Sequence, residues 1–292
     1  MRSLLVTGAS GLLGGQICQD LSAQWQLWGT YHRQTVAYPS VTTQPMDITS
    51  EQSIQTVWEQ VQPDAVIHTV ALSQVGQCQR FPEHSYQVNV AGTLALARRC
   101  AAAQVPFMFT STDLVFDGTS PRYGESDRSN PINVYGKHKA IAETELLNLY
   151  PAATICRLPL MVGAATATAQ SFVQPLLAAI AAGQSQTLFT DEWRTPAVVA
   201  DVTQGLALAL TKGVTGIIHL GGRERLNRYE LGLLVAQSFG VSTAMLRPGL
   251  QSSVKLSTPR PQDVSLNSDR AFALGYAPQT MSAALEAIAA ST

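Results

Sequence analysis

The sequence predicts an α/β fold, a doubly wound parallel sheet carrying a small interleaved α/β lobe. Three observations carry that prediction. Short β-branched or apolar runs alternate with longer amphipathic stretches through the first half of the chain, the rhythm of successive βαβ units. A glycine-rich turn, Gly8-Ala9-Ser10-Gly11-Leu12-Leu13-Gly14, joins the first such run to the first amphipathic stretch. After Pro159 the alternation becomes irregular, with no linker that would release an independent domain.

In order, the strands are expected at Ser3 to Thr7, Gln26 to Tyr31, Ala65 to His68, Pro106 to Ser111 and Thr154 to Arg157. Between them Leu12 to Gln24, Glu51 to Gln60, Pro82 to Ala103 and Asn133 to Leu149 carry apolar residues at helical spacing, with Thr49 or Ser50 capping the second. Right-handed crossovers would stack these helices on both faces of one sheet. Beyond them, Ala164 to Gln170 reads as a flexible connection, Ser171 to Ala182 as a helix, and Thr187 to Phe189 as a strand. Val199 to Leu210 reads as a helix, Gly216 to Leu220 as a strand, and Arg228 to Phe239 and Met281 to Ala290 as helices. The main domain is thus residues 1–160 with a returning segment near 197–220, and the lobe is 161–196 and 221–292.

Charge is scarce, at 13% of 292 residues, about half of an average soluble domain. A net charge of -1 offers no basic footprint for nucleic acid. At 46% hydrophobic residues, disorder is excluded. No run of roughly 18–20 apolar residues marks a membrane span, and the N-terminus lacks a signal-peptide pattern, so a cytoplasmic protein is expected. Cys18, Cys78, Cys100 and Cys156 are unpaired in spacing and read as buried thiols. The five histidines show no metal-ligand spacing, so no metal is expected; His68 and His219 read as core histidines.

The glycine turn between a strand and a helix is a dinucleotide signature. Its glycines (Gly8, Gly11, Gly14) let the backbone approach a pyrophosphate, and Ser10, Leu12 and Leu13 bring the helix N-terminus to it. Near the end of the second strand an acid would receive a ribose hydroxyl, but the sequence there is Tyr31-His32-Arg33. Arg33 suits a 2′-phosphate, which favours NADP(H) and leaves NAD(H) as the alternative. Further on, Tyr135 and Lys139 lie four positions apart and share a helix face. With only four lysines and eight tyrosines, chance would supply roughly 0.1 such pairs. An ammonium beside a phenol lowers its pKa and fits it for proton transfer. Thr112, at the end of the fourth strand, is placed to orient a carbonyl in the same crevice.

Taken in order, glycine turn, Thr112 and Tyr135-x-x-x-Lys139 resemble the extended short-chain dehydrogenase/reductase family, with a Rossmann-type sheet. Within it the chain is similar to the dTDP-4-dehydrorhamnose reductase group and to the regulatory β subunit of methionine adenosyltransferase. The matching stretches are STDLVFDG at 111–118, YGKHKAIAE at 135–143, RLPLMVG at 157–163, RTPAVVADV at 194–202, GIIHLGG at 216–222 and RPQDVSL at 260–266.

The resemblance implies a catalytic triad of Thr112, Tyr135 and Lys139. It implies that Asp47 and Ile48 flank the adenine, and that Thr69, Val70, Ala71, Asn89 and Leu158 line the cofactor. Ser73, Asp113, Val115, Phe116, Trp193, Arg194 and Arg260 would contact a nucleotide-sugar, the two arginines as diphosphate partners unless they pair with acids such as Asp201 or Asp263. The family's Asn-Ala-Ala-Ala loop reads His68-Thr69-Val70-Ala71 here, and expected acids are Gly76 and Gln79. Those departures leave the triad intact and point to an altered ligand. The expected activity is reduction of a nucleotide-linked 4-keto sugar. The alternatives are a cofactor-binding regulatory subunit docking a partner enzyme, or an epimerase; a homodimer stays open.

Overall fold

The computed structural model describes residues 1–291. Seven strands form one sheet: β1 (Ser3–Thr7), β2 (Gln26–Tyr31), β3 (Val41–Pro45), β4 (Ala65–His68), β5 (Phe107–Thr112), β6 (Thr154–Leu158) and β7 (Gly216–His219). Their spatial order is β7-β6-β5-β4-β1-β2-β3, and every pairing is parallel. The chain runs outward from β1 to β3, then returns to the other side of β1 to begin β4. The crevice beyond the carboxyl ends of β1 and β4 is therefore the topological switch point, where ligands of open α/β sheets bind.

β1, β4, β5 and β6 are buried along their whole length, which is why they read as continuous apolar runs. Successive residues supply opposite faces. Leu4 and Val6 pack with Ile17, Val202 and Leu206 on one side, while Leu5 joins Ile54, Leu96, Phe109 and Leu146 on the other. β3, Val-Thr-Thr-Gln-Pro, is a half-exposed edge strand with too little apolar signal to be found in the sequence.

The helices on the first face are α1 (Leu12–Leu21) and α8 (Val199–Thr211); on the second lie α2 (Glu51–Val61), α5 (Thr93–Ala103) and α6 (Val134–Leu149). Ser50 caps α2 through the Ser53 N–H. The stretch expected as one helix over 82–103 is α4 (Pro82–Tyr86), a π-helical turn at Gln87–Gly92, and α5; the short α3 (Val75–Arg80) precedes it. Gly92 explains the close approach there, because a Cβ would lie 2.6 Å from the Ile48 carbonyl oxygen.

The smaller lobe has its own core, built by α7 (Val173–Ala181), α9 (Arg228–Ser238) and α11 (Met281–Ala290) around Val162, Leu188 and Leu246. Asn227 and Glu230 form a capping box at the start of α9. α10 (Asp269–Leu274) sits in the sequence of the lobe, yet Ala271 and Tyr276 pack into the main core. Val115, Phe116 and Tyr123 meet Val264 and Leu266 in a small plug that ties the strand-end loop of β5 to the lobe. The four cysteines are free and buried. No helix among the described residues is long and apolar enough to cross a membrane.

Candidate active site

The glycine turn opens directly from β1. Gly11 N–H donates to the Gly8 carbonyl (2.8 Å), and the Ala9 N–H to Thr30 (2.7 Å). A Cβ at Gly14 would stand 2.2 Å from the Gly8 carbonyl oxygen, so only glycine lets the helix begin this close to the strand. Gly11 provides no side-chain cap, which leaves the first N–H groups of α1 free for an anion. Leu13 is buried in the core beneath the turn. From the lobe side, Thr168 Oγ1 donates to the Ser10 carbonyl (2.7 Å), so the connection expected to be flexible is fastened over this turn. These features fit a dinucleotide pyrophosphate.

At the end of β2 Tyr31 is half-buried, and His32 and Arg33 are exposed, on the side where a 2′-phosphate would lie. His32 Nε2 is 3.9 Å from Asp47. The Thr49 hydroxyl and N–H both donate to Asp47 and hold its carboxyl below the usual range. Ile48 is buried beneath Gly92. Thr69 follows β4, its hydroxyl donating to the Thr7 carbonyl (2.6 Å) beside Gly8. Val70 and Ala71 continue that loop half-buried, Ser73 is exposed, and Leu158 closes β6 at 4% exposure. Asn89 grips the loop rather than facing the crevice: its Oδ1 accepts from Leu72 N–H (2.9 Å) and its Nδ2 donates to Leu72 O (3.1 Å).

Three candidate side chains come from the end of β5 and the first turns of α6. Thr112 is the strand's last residue; its Oγ1 donates to Asp113 (3.2 Å) and accepts from Leu114 N–H. Asn133 caps α6 by accepting from Gly136 N–H (2.8 Å), which sets Tyr135 in the first turn. Gly136 permits the helix to touch the strand-end loop, since a Cβ there would meet Leu114 O at 2.1 Å. Lys139 follows one turn on, 1% exposed, with Nζ 3.9 Å from the centroid of the Phe109 ring.

Burial dominates the electrostatics. It pushes the Tyr135 phenol well above its ordinary value, helped by Cys78 and Asp113 and opposed by the Thr112 hydroxyl. Lys139 is not among the groups that act on the phenol, so the expected lowering by its lysine neighbour is not found. Burial also brings Lys139 down to about 7, against the opposing pull of Glu143 and Cys78. Glu143 is committed to Arg157 at 2.7 Å, which limits that pull. His68, where the family pattern has asparagine, bridges the Thr7 and Thr93 hydroxyls (2.7 and 3.1 Å) and stays neutral, its pKa lowered to about 3 by burial and by Lys139.

On the lobe side, Arg194 is buried against Asp113 (3.3 Å) and Glu192 (3.5 Å), and Glu192 also binds Arg228 (2.7 Å) and Arg260 (3.1 Å). Burial raises the Asp113 carboxyl to about 6 despite Arg194. The acids expected as structural partners are therefore not the ones used. Asp201 accepts from Gln279 N–H, and Asp263 holds Arg225, whose guanidinium covers the Trp193 ring at 3.8 Å. Val115 and Phe116 are fully buried in the plug, Phe116 stacked on Tyr123 (4.0 Å). Their side chains are core, and only their backbone is left for a substrate. Sequence reasoning missed Glu192 and Arg228, which carry no local motif. Among the described residues no group of three His, Cys, Asp or Glu could hold a metal ion.

Comparison with known proteins gives the chain its family. The chain belongs to the family described as the RmlD substrate binding domain, whose model matches residues 1–292. It is 29% identical over 282 residues to methionine adenosyltransferase 2 subunit beta of Danio rerio, covering 94% of this chain and 85% of that protein. It is 30% identical over 261 residues to a probable low-salt glycan biosynthesis reductase of Haloferax volcanii, covering 88% and 87%. The fold superposes on the dTDP-4-dehydrorhamnose reductase of Bacillus anthracis in complex with NADP, with a TM-score of 0.86 at 20% identity over 100% and 99% of the two chains.

Proposed function

We propose that this member of the RmlD substrate binding domain family is an NADP(H)-dependent reductase of a nucleotide-linked 4-keto sugar. One observation carries the reading: Thr112 ends β5 and hydrogen-bonds Tyr135 in the first turn of α6, with Lys139 one turn further on, at the carboxyl edge of the sheet where β1 opens into the Gly8–Gly14 turn. The solved reductase named above, crystallised with NADP, and the glycan biosynthesis reductase support it.

NADP(H), when bound, supplies the hydride. The Gly8–Gly14 turn and the α1 N-terminus would hold its pyrophosphate, and Arg33 a 2′-phosphate, with NAD(H) the weaker alternative. Thr112 positions the substrate oxygen, and Tyr135 delivers a proton to it. Its high intrinsic pKa keeps the phenol protonated until that moment. Lys139, poised near neutrality, stabilises the phenolate that results. On the other side of the crevice Arg194, Arg228 and Arg260 offer three guanidinium groups against Glu192 and Asp113, a surplus of one positive charge suited to a diphosphate.

Purified protein should oxidise NADPH when given dTDP-4-keto-6-deoxy sugars, and Tyr135→Phe should cut kcat about 10²- to 10⁴-fold while NADPH still binds. Turnover by Tyr135→Phe at the wild-type rate would overturn the reading. A second reading rests on the Danio rerio relative, a subunit by name. In it the chain binds cofactor but acts by docking an enzyme. Stoichiometric co-purification of a partner, with an unchanged partner effect in Tyr135→Phe, would favour it.

A further inference from the structure

Gly15 follows the Gly8–Gly14 turn on α1 and is not one of its three glycines. Its place is explained by Tyr38, because a Cβ at Gly15 would lie 2.7 Å from the Tyr38 hydroxyl. That hydroxyl donates to the Ala9 carbonyl inside the turn (2.7 Å), with the ring half-buried against the main core. Tyr38 belongs to the connection between β2 and β3, residues 32–40, which begins with His32 and Arg33. Among the described residues, this is the one hydrogen bond between that connection and the glycine turn. The rest of the connection is fixed from the β3 side. Val36 is 8% exposed in the main core, its carbonyl accepts from the Thr43 hydroxyl (2.7 Å), and the Tyr38 carbonyl accepts from Val41 N–H (3.3 Å). Ser40 turns the chain there at φ 60°, a left-handed conformation that a residue other than glycine keeps only where its surroundings impose it. The glycine turn has further ties of its own: Ala9 N–H to Thr30, Gly11 N–H to Gly8, and Thr168 to Ser10.

We propose that Tyr38 is a positioning residue for cofactor specificity: its hydroxyl clamps the 32–40 connection to the glycine turn and so presets Arg33 for the 2′-phosphate of NADP(H). The inference rests on the reading of the turn and of Arg33 given above, and deepens it. In a dinucleotide site the glycine turn takes the pyrophosphate and the end of the second strand takes the ribose 2′ position. The clamp joins those two walls directly. A loop that is already ordered loses less freedom when it closes on an anion, so more of the ion-pair energy remains as affinity. Arg33 is exposed, and its place depends on the backbone that carries it. The pyrophosphate is received by the turn and α1, whose other hydrogen bonds remain when Tyr38 lets go. Loss of the clamp therefore acts on the 2′-phosphate and spares what NADP(H) and NAD(H) share.

Two variants release the clamp in different ways. Tyr38→Phe removes the donor and keeps the ring, whereas Gly15→Ala pushes the hydroxyl off Ala9 while alanine inside α1 favours the helix. Fluorescence titration should show the Kd for NADPH rising about fivefold or more in each, and the Kd for NADH changing less than about twofold, the scale of one lost ordering hydrogen bond. In an Arg33→Ala background neither variant should change the ratio of the two constants further. Thermal melts check that the variants remain folded. Equal changes for the two cofactors, or no change in either variant, would overturn the proposal and leave Tyr38 a structural residue. A shift of the ratio that persists undiminished in Arg33→Ala would do the same. An unchanged ratio in Arg33→Ala alone sinks the reading of Arg33 and the proposal with it; a changed ratio there, with Tyr38→Phe and Gly15→Ala like wild type, sinks the proposal only. The titration needs no sugar, so a wild type without keto-sugar turnover defeats the functional reading and leaves this measurement decisive.

Discussion

Replacing Glu192 with glutamine removes one negative charge from the centre of three arginines without changing the shape of the side chain. Glu192 is 1% exposed, with Arg228, Arg260 and Arg194 at 2.7, 3.1 and 3.5 Å. Burial pushes its carboxyl up, yet the three guanidinium groups outweigh burial and hold it at about 2 against an ordinary 4.5. At 1.36 kcal/mol per pH unit that difference corresponds to about 3 kcal/mol of stability. A carboxyl whose folded pKa is depressed contributes fully above the unfolded value and loses its contribution as pH falls through the folded one. The deficit of Glu192→Gln should thus be about 3 kcal/mol at pH 7, about 1 kcal/mol at pH 3, and absent below pH 2. Urea unfolding of both proteins across that range measures it. A deficit below about 1 kcal/mol at pH 7, or one that does not shrink on acidification, would refute the view that Glu192 anchors the cluster.

Gly14→Ala should abolish tight NADPH binding in a fluorescence titration and cost about 1–3 kcal/mol of stability, because its Cβ would lie 2.2 Å from the Gly8 carbonyl oxygen. Arg33→Ala should weaken NADP(H) more than NAD(H); an unchanged affinity ratio would show that this exposed arginine reads no phosphate. Lys139, at about 7 when folded and 10.5 ordinarily, binds its proton less well in the folded state. Stability should then rise with pH from about 7 toward 10.5, and Lys139→Met should flatten that rise in a series of thermal melts.

Those perturbations touch features of unequal visibility in the sequence. The glycine turn, β1, β4, β5 and β6 were legible because burial on both faces demands unbroken apolar runs and a sharp turn demands glycine. Tyr135 and Lys139 were legible because helical spacing alone puts them on one face. β3 was hidden by its polar edge composition. The π-helical turn at 87–92 was hidden too, since one extra residue per turn leaves no compositional mark.

The arginine cluster shows why the rest of the site stayed dark. Arg194 and Arg260 were identifiable from matching stretches, but the acid that positions both is Glu192, two residues from one and sixty-eight from the other. Pairing at such separation is decided by how the lobe packs on the sheet. The plug of Val115, Phe116, Tyr123, Val264 and Leu266 fastens the β5 loop to the chain that follows Arg260, while Trp193 pairs with Asp263 beside Arg194. Apolar packing therefore brings the three guanidinium groups together, and Glu192 keeps them from repelling one another while leaving an excess of positive charge. Asp113 extends the same logic to the end of β5. It is buried beside Thr112, paired with Arg194, and raised to about 6, so its charge is conditional on that arginine. An anion that draws Arg194 away would favour protonation of Asp113 and relieve the carboxylate's repulsion of a nascent Tyr135 phenolate. The lobe and the end of β5 are joined here through a single ion pair that no local motif announces.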